Sequence, residues 1–335
     1  MSFQKVESQS DATQVRLPKG PHFRYSESAI DSCSDPVSNN PMLKSRNFWK
    51  TILPLSVLLL AVGLSFAAKG KKDGPLKVLI VAGGCCHDYG MQTKLLKAGI
   101  EERLNAEVTV EYNPDTTTEA KFKIYESDDW AKAYDVVIHD ECSANVTEPG
   151  YVNRILKAHK DGTPAVNLHC AMHSYRWGEF KSPVKLGADN AGWYEMIGLQ
   201  STGHGPKTPI DLKFESVKHP TTVGMEDWTT IDEELYNNLQ IFEGTTALAV
   251  GHQVQSPKKK KGKKADPNAK PNKAEAVVIW ANEYGPNKTK IFSTSLGHFN
   301  DTVSDTRYLE LVTRGLLWVT DNINEDGSAV EGLGK

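Results

Sequence analysis

The stretch PLKVLIVAGG, residues 75–84, constrains the fold more than any other. It is an unbroken apolar run that stops at two glycines. A strand apolar on both faces belongs inside a parallel sheet, with helices covering each side. The segments that follow keep that rhythm. MQTKLLKAGIEERL (91–104) carries apolar residues at helical spacing. AEVTVEYN (106–113) alternates like a strand, and a third strand is expected from Asp135 to His139. PGYVNRILKAHKDG (149–162) reads as a helix closed by Gly162, with Lys and His in its last turn. The short run Ala165–Leu168 is then a fourth strand. Strands alternating with helices predict a doubly wound, mostly parallel α/β sheet. The second half is strand-rich, with strands expected at 209–216, 247–255, 274–284 and 289–298 before a final helix at 305–323.

The N-terminal part of the chain, up to Ala68, stands apart from this pattern. Residues 1–41 are polar and mixed, without the composition of a packed core, and read as a spurious or disordered extension. From Met42 the chain has a basic start (Lys44, Arg46, Lys50), an apolar run from Ile52 to Leu64, and small residues at Ser65, Ala67 and Ala68. That is the form of a secretory signal peptide over 42–68. At about 1.5 Å per residue the run reaches roughly 20 Å, short of the ~30 Å of a bilayer core. Export to the periplasm or the outside follows, with no membrane anchor left after cleavage; an uncleaved anchor is the alternative. Residues 69–335 can then form one domain with a large core.

A formal net charge of −3 gives no sign of a nucleic-acid partner. The one strong charge run is SPKKKKGKKADPNAKPNK, 256–273, with eight lysines, one aspartate and three prolines. Repulsion and proline deny it helix or sheet, so it is expected to be a disordered, solvated hairpin loop. Four of the five cysteines lie after residue 68, without CxxC spacing. Adjacent Cys85 and Cys86 are expected to fill a tight loop rather than bond, because a vicinal ring is strained.

Ligands of open α/β sheets bind beyond the carboxyl ends of the strands. That filter selects His87 and Asp88 after the first strand, His139 to Glu141 at the third, His169, Cys170 and His173 after the fourth, and His298 at the last. His204, His219 and the acidic stretch IDEELYNN (231–238), with Asp232, Glu233, Glu234 and Tyr236, are expected in loops that could cover the rim. Imidazole with carboxylate suits a transition metal or acid–base work near neutral pH. No HExxH spacing is present.

Seven stretches share a likeness with one family: VLIVAGGCCHDY, DGTPAVNLHCAMHS, WYEMIGLQSTGH, VKHPTTVGM, IDEELYNN, VVIWANEYGPNKTKIFSTSLGH and RGLLWVT. On these, residues 76 to 320 resemble the ThuA-like family, named for trehalose utilisation. The resemblance implies a flavodoxin-like fold of the class I glutamine amidotransferase type. An amidotransferase elbow places its cysteine five residues after the strand's proline; here that position, counted from Pro164, is His169, and Cys170 falls one step late. The family's link to trehalose and keto-sugars implies action on a small carbohydrate, by hydrolysis or elimination of a glycoside. On that reading His87, His169 and His298 hold a divalent metal, zinc or another transition ion, or polarise oxygen. His169, Asp88, Asp232 and Glu233 are the catalytic candidates, and His173, His204, Tyr236 and Trp193 contact the sugar. A homodimer is the expected assembly. A non-catalytic sugar-binding module and a cysteine hydrolase using Cys170 are the alternatives.

Overall fold

The computed structural model describes residues 74–255 and 271–335. The expected extension (1–41), the signal peptide (42–68) and residues 256–270 of the lysine-rich loop lie outside the described residues. Among the described residues, no helix is long and apolar enough to cross a membrane.

The first half alternates as the sequence predicts: β1 (Leu76–Gly84), α1 (Tyr89–Arg103), β2 (Ala106–Asn113), β3 (Val136–Cys142), α2 (Pro149–Lys160) and β4 (Ala165–Leu168). After α3 (Gly192–Ile197) come β5 (Leu199–Gln200), β6 (His204–Phe214), β7 (Trp228–Tyr236), β8 (Gln240–Ile241), β9 (Thr246–Gln255), β10 (Asn272–Tyr284) and β11 (Thr289–Thr294), then α4 (Asn300–Val303) and α5 (Thr306–Val319). Among the described residues, nine strands form one sheet in the order β2-β1-β3-β4-β11-β10-β9-β6-β7. Pairings from β2 to β11 are parallel. From β11 to β7 every pairing is antiparallel. The strand-rich second half therefore extends the same sheet instead of building a separate layer.

Both faces of the parallel half are covered, and strand periodicity decides which residue goes where. Val78, Ile80 and Ala82 of β1 pack with Leu96 and Ile100 of α1 and Val312 and Leu316 of α5. Leu79 and Val81 face the other way, onto Ile155 and Leu156 of α2 and Trp193 of α3. Helix starts follow the local chemistry: Asp88 caps α1 by accepting from the Met91 amide at 3.2 Å, and Pro149 opens α2, where its missing N–H costs nothing.

Three features differ from the sequence reading. Residues 231–236, expected within a covering loop at 231–238, lie in the edge strand β7. An edge strand leaves one side unpaired and open to water and carries charge there, so TTIDEELY lacks the unbroken apolar run of an inner strand. His204 begins β6 instead of lying in a loop. The last strand stops at Thr294, leaving His298 in the loop before α4. Around the lysine-rich insert, β9 and β10 pair antiparallel with Gln255 opposite Asn272, as a hairpin requires.

Candidate active site

The parallel strands end side by side, and glycine lets them approach. A Cβ on Gly84 (φ +93) would sit 2.3 Å from the Cys142 carbonyl oxygen, and one on Gly83 would sit 2.3 Å from that of Asn113. No other residue fits there. The chain leaves this crowded end through Cys85 and Cys86 and delivers His87. These two cysteines form a disulfide, which corrects the loop-filling reading; the turn holds Cys86 at φ +88 and the adjacent sulfurs meet. Beyond β4, His169 takes φ +37. A left-handed backbone at the apex of a strand-to-helix turn is the elbow geometry, and here an imidazole occupies it. Beyond β11, Gly297 at φ +121 precedes His298, and a Cβ on it would lie 2.7 Å from the Tyr308 hydroxyl.

These three histidines, expected from three strand ends, converge. Ring centroids are 4.7 Å apart for His87 and His169, 4.6 Å for His87 and His298, and 5.4 Å for His169 and His298. One ring nitrogen from each lies within 4.8 Å of the others. His169 and His298 are buried and His87 is half-buried.

The hydrogen bonds fix which nitrogens are available. His169 Nδ1 donates to the Ser295 carbonyl at 2.7 Å, leaving Nε2 with a lone pair. His87 Nδ1 donates to the His298 carbonyl at 3.2 Å, and its Nε2 lies 2.9 Å from Cys170 Sγ. Among the described residues, the buried His298 Nδ1 has no hydrogen-bond partner. Burial and the neighbouring His87 ring hold the His169 imidazole well below its ordinary pKa, so it is neutral at pH 7.

Glu234 completes the centre. Its Oε2 lies 3.6 Å from His169 Nε2 and 3.4 Å from His298 Nδ1, while Oε1 lies 3.5 Å from His204 Nδ1 and 3.7 Å from Lys207 Nζ. Burial pushes its carboxyl up, but His298, His204 and Lys207 outweigh burial and hold it below the usual range. Glu233, one residue earlier, is buried and accepts the His298 amide at 3.0 Å; burial pushes its carboxyl up. Glu233 thus positions the His298 backbone, while Glu234 faces the rings. Two consecutive buried acids in an edge strand mark a site, since carboxylates rarely go inside without partners. In sequence Glu233 is a catalytic candidate, while Glu234 is only one acid of the stretch 231–238.

The other candidates divide. Tyr236 is buried beside the centre, its hydroxyl 3.3 Å from His169 Nε2. His173 stacks on it at 4.2 Å and meets the Ser201 hydroxyl at 2.8 Å. His204 is partly exposed at the outer side of Glu234. Asp88 is an exposed cap that also accepts from Asn300 at 3.0 Å. Asp232 is exposed, opposite Pro209 in the edge pairing. Trp193 is 1 % exposed and donates its indole N–H to the Ala171 carbonyl, so it has no surface to offer a sugar. His139 and Glu141 also leave the rim. They sit 3.0 Å apart in a buried network with His159, Tyr125 and Tyr175.

An open cavity of about 400 Å³, lined by Cys86, His87, Asp88, His298, Phe299 and Asn300, gives access to His87 and His298. A second, lined by His204, Tyr236, Asn237, Asn238 and Gln255 among others, lies on the β6–β7 side.

Fold and site together define an α/β protein with a three-histidine centre at the carboxyl ends of a parallel sheet. The chain belongs to the ThuA family, described as trehalose utilisation, whose model matches residues 77–319. A ThuA-like protein from Parabacteroides merdae is 17% identical with a TM-score of 0.50, over 73% of this chain and 90% of that one. A ThuA-like protein from Bacteroides uniformis is 16% identical with a TM-score of 0.48, over 75% and 94%. A cytoplasmic protein from Salmonella typhimurium is 15% identical with a TM-score of 0.44, over 73% and 97%. No curated protein matches the chain. At so low an identity, the likeness to the first of these structures speaks to the fold alone.

Proposed function

We propose that the protein holds a divalent transition metal at His87, His169 and His298 and acts there on a small carbohydrate. One observation carries the metal: a ring nitrogen from each of His87, His169 and His298 lies within 4.8 Å of the others, while His87 and His169 are each held by a backbone carbonyl at Nδ1. Metal-binding histidines are held in this way by an outer shell. Three imidazoles with a nearby carboxylate suit zinc or a similar ion. When bound, such an ion supplies a Lewis acid that polarises a sugar oxygen.

The chain's own groups supply the rest. Glu234 is ionised and stands where it can accept a proton from a substrate at the rings. The Tyr236 hydroxyl can donate to a substrate oxygen in place of its contact with His169. His204 and Lys207 steady Glu234 from outside. The cavity at His87 and His298 is within the size of small-molecule sites, roughly 300–1,000 Å³. The carbohydrate comes from the family's description. A keto-glycoside is the most fitting form, because a carbonyl acidifies the adjacent C–H and lets a base open the glycosidic bond. Purified protein, metal-loaded or chelator-treated, should convert trehalose or a 3-keto-glycoside only when loaded. Turnover unaffected by full metal removal would reject the metal part, and absence of turnover with any ion would reject the catalytic part.

The histidine at the elbow favours a second reading, a sugar-binding module without turnover, since the nucleophile's position holds no nucleophile. Calorimetry showing saturable sugar binding without product would select it. The cysteine-hydrolase alternative is weakened by Cys170 itself. A hydrogen bond with Cys142, and then burial, push its thiol well above the ordinary value, which disfavours the thiolate a nucleophile needs. We also carry forward export through the segment at 42–68, tested by N-terminal sequencing of native protein, and a homodimer, tested by its mass in solution.

A further inference from the structure

A group of sulfurs lies behind the histidine centre, and the proposed chemistry does not use it. Cys85 and Cys86 are joined. A third sulfur, Cys142 Sγ at the end of β3, sits 3.7 Å from Cys85 Sγ, and all three sulfurs fall within 4.8 Å of one another. Their surroundings differ. Cys142 is 4 % exposed, Cys85 is half-buried, and Cys86 is exposed at the rim of the cavity that leads to His87.

We propose that Cys85, Cys86 and Cys142 form a thiol–disulfide exchange centre that presents Cys86 as a free, modifiable thiol beside the active-site cavity. In the exchange the Cys142 thiolate attacks Cys85 Sγ. The new Cys142–Cys85 bond forms as the Cys85–Cys86 bond breaks, and its electron pair leaves on Cys86. The proton that Cys142 gave up ends on Cys86, so no oxidant or reductant is consumed. Exchange of this kind requires a thiolate in contact with the disulfide sulfur, and the approach of Cys142 Sγ to Cys85 Sγ is van der Waals contact between sulfurs. The hydrogen bond from Cys170 holds the Cys142 thiol below its ordinary pKa despite burial, which favours the attacking form. Burial also keeps external thiols from Cys142, so the sulfur opened to solvent is Cys86. The Cys86 backbone, at φ +88, is free to relax once the bond to Cys85 is gone. None of this needs a metal at the histidines.

The test is alkylation of the native, non-reduced full chain with iodoacetamide, followed by acid quench, digestion and disulfide mapping by mass spectrometry. The expected product carries the label on Cys86 and a Cys85–Cys142 bond. In Cys142→Ser the label on Cys86 is lost and the Cys85–Cys86 bond persists. In Cys86→Ser, equilibrated in a glutathione redox buffer that fully oxidises the wild type, a Cys85–Cys142 bond forms. The wild-type measurement stands if either variant fails to fold. Prolonged exposure that leaves Cys86 unlabelled and the Cys85–Cys86 bond intact would overturn the proposal. So would label on Cys85 and Cys86 together, which means that the native protein has no disulfide to exchange.

Discussion

His169 Nδ1 donates to the Ser295 carbonyl oxygen across 2.7 Å. The acceptor is main chain, so this bond follows the fold and fixes the tautomer: Nε2 keeps its lone pair, 3.3 Å from the Tyr236 hydroxyl. If the centre binds metal, the native state gains stability from the ion by mass action, about 2.7 kcal/mol at a hundredfold excess over Kd. Urea unfolding with zinc against chelator should show that gain in the wild type. His169→Ala should show almost none, because one of three ligands is gone. An equal zinc response in both would place the metal elsewhere.

Glu234 and Asp232 lie on one strand and should behave oppositely. Glu234 Oε2 is within 3.6 Å of two ring nitrogens, whereas Asp232 is exposed. Glu234→Gln keeps the shape and removes the charge. A loss of about 10–100-fold in zinc affinity is expected, the scale seen for groups that support ligating histidines. Asp232→Asn should leave affinity unchanged and stability within about 0.5 kcal/mol. Titration calorimetry on both variants decides the matter; similar affinities would remove Glu234 from the centre.

Gly84 tests the crossing point of the strands. Its substitution by alanine sets a methyl carbon 2.3 Å from the Cys142 carbonyl oxygen, at a φ that L-residues avoid. Backbone faces it, so no flexible side chain can yield. Left-handed strain of roughly 1–3 kcal/mol adds to overpacking of about the same size. Gly84→Ala should lose at least about 2 kcal/mol in urea unfolding, while Gly150→Ala, with nothing within 4 Å of the added carbon, should change little. Equal stabilities would mean that the β1 and β3 ends are further apart than described.

The parallel half was legible in the sequence because a strand buried on both faces leaves an unmistakable apolar run. Leu76–Gly84 and Ala165–Leu168 are such strands, and the rule that sites gather at their carboxyl ends picked out His87, His169 and His298 together. β7 was hidden because an edge strand carries charge, and Glu234 stood out no more than its neighbours: the sequence does not tell which of Asp232, Glu233 and Glu234 faces the rings. Trp193 misled for a related reason. An aromatic beside a glycine motif reads the same whether its indole meets a sugar or, as here, the Ala171 carbonyl. His139 obeyed the strand-end rule by position but lies mid-strand in a fully buried segment, so its ring points into the core.

That core network carries the last prediction. His159 Nδ1 donates to the Thr163 carbonyl at 2.7 Å, and its Nε2 faces His139 Nε2 at 2.9 Å. Burial, reinforced by the His139 ring, pushes the His159 pKa down to about 3. In the unfolded chain it returns to about 6.5. Between those values the unfolded state binds the extra proton, so this stability is full above pH 6.5 and is lost as pH falls toward 3. The slope for one such group is about 1.4 kcal/mol per pH unit. His169 and His173, also held low by burial, add in the same direction. His159→Asn keeps a donor near Thr163 and removes the titration. It should be less stable than the wild type at pH 7. The gap should narrow by about 2.5 kcal/mol on acidification to about pH 4.5, two pH units below the unfolded pKa. Denaturation midpoints across that range provide the check. Parallel curves for the two proteins would show that His159 carries the same number of protons folded and unfolded.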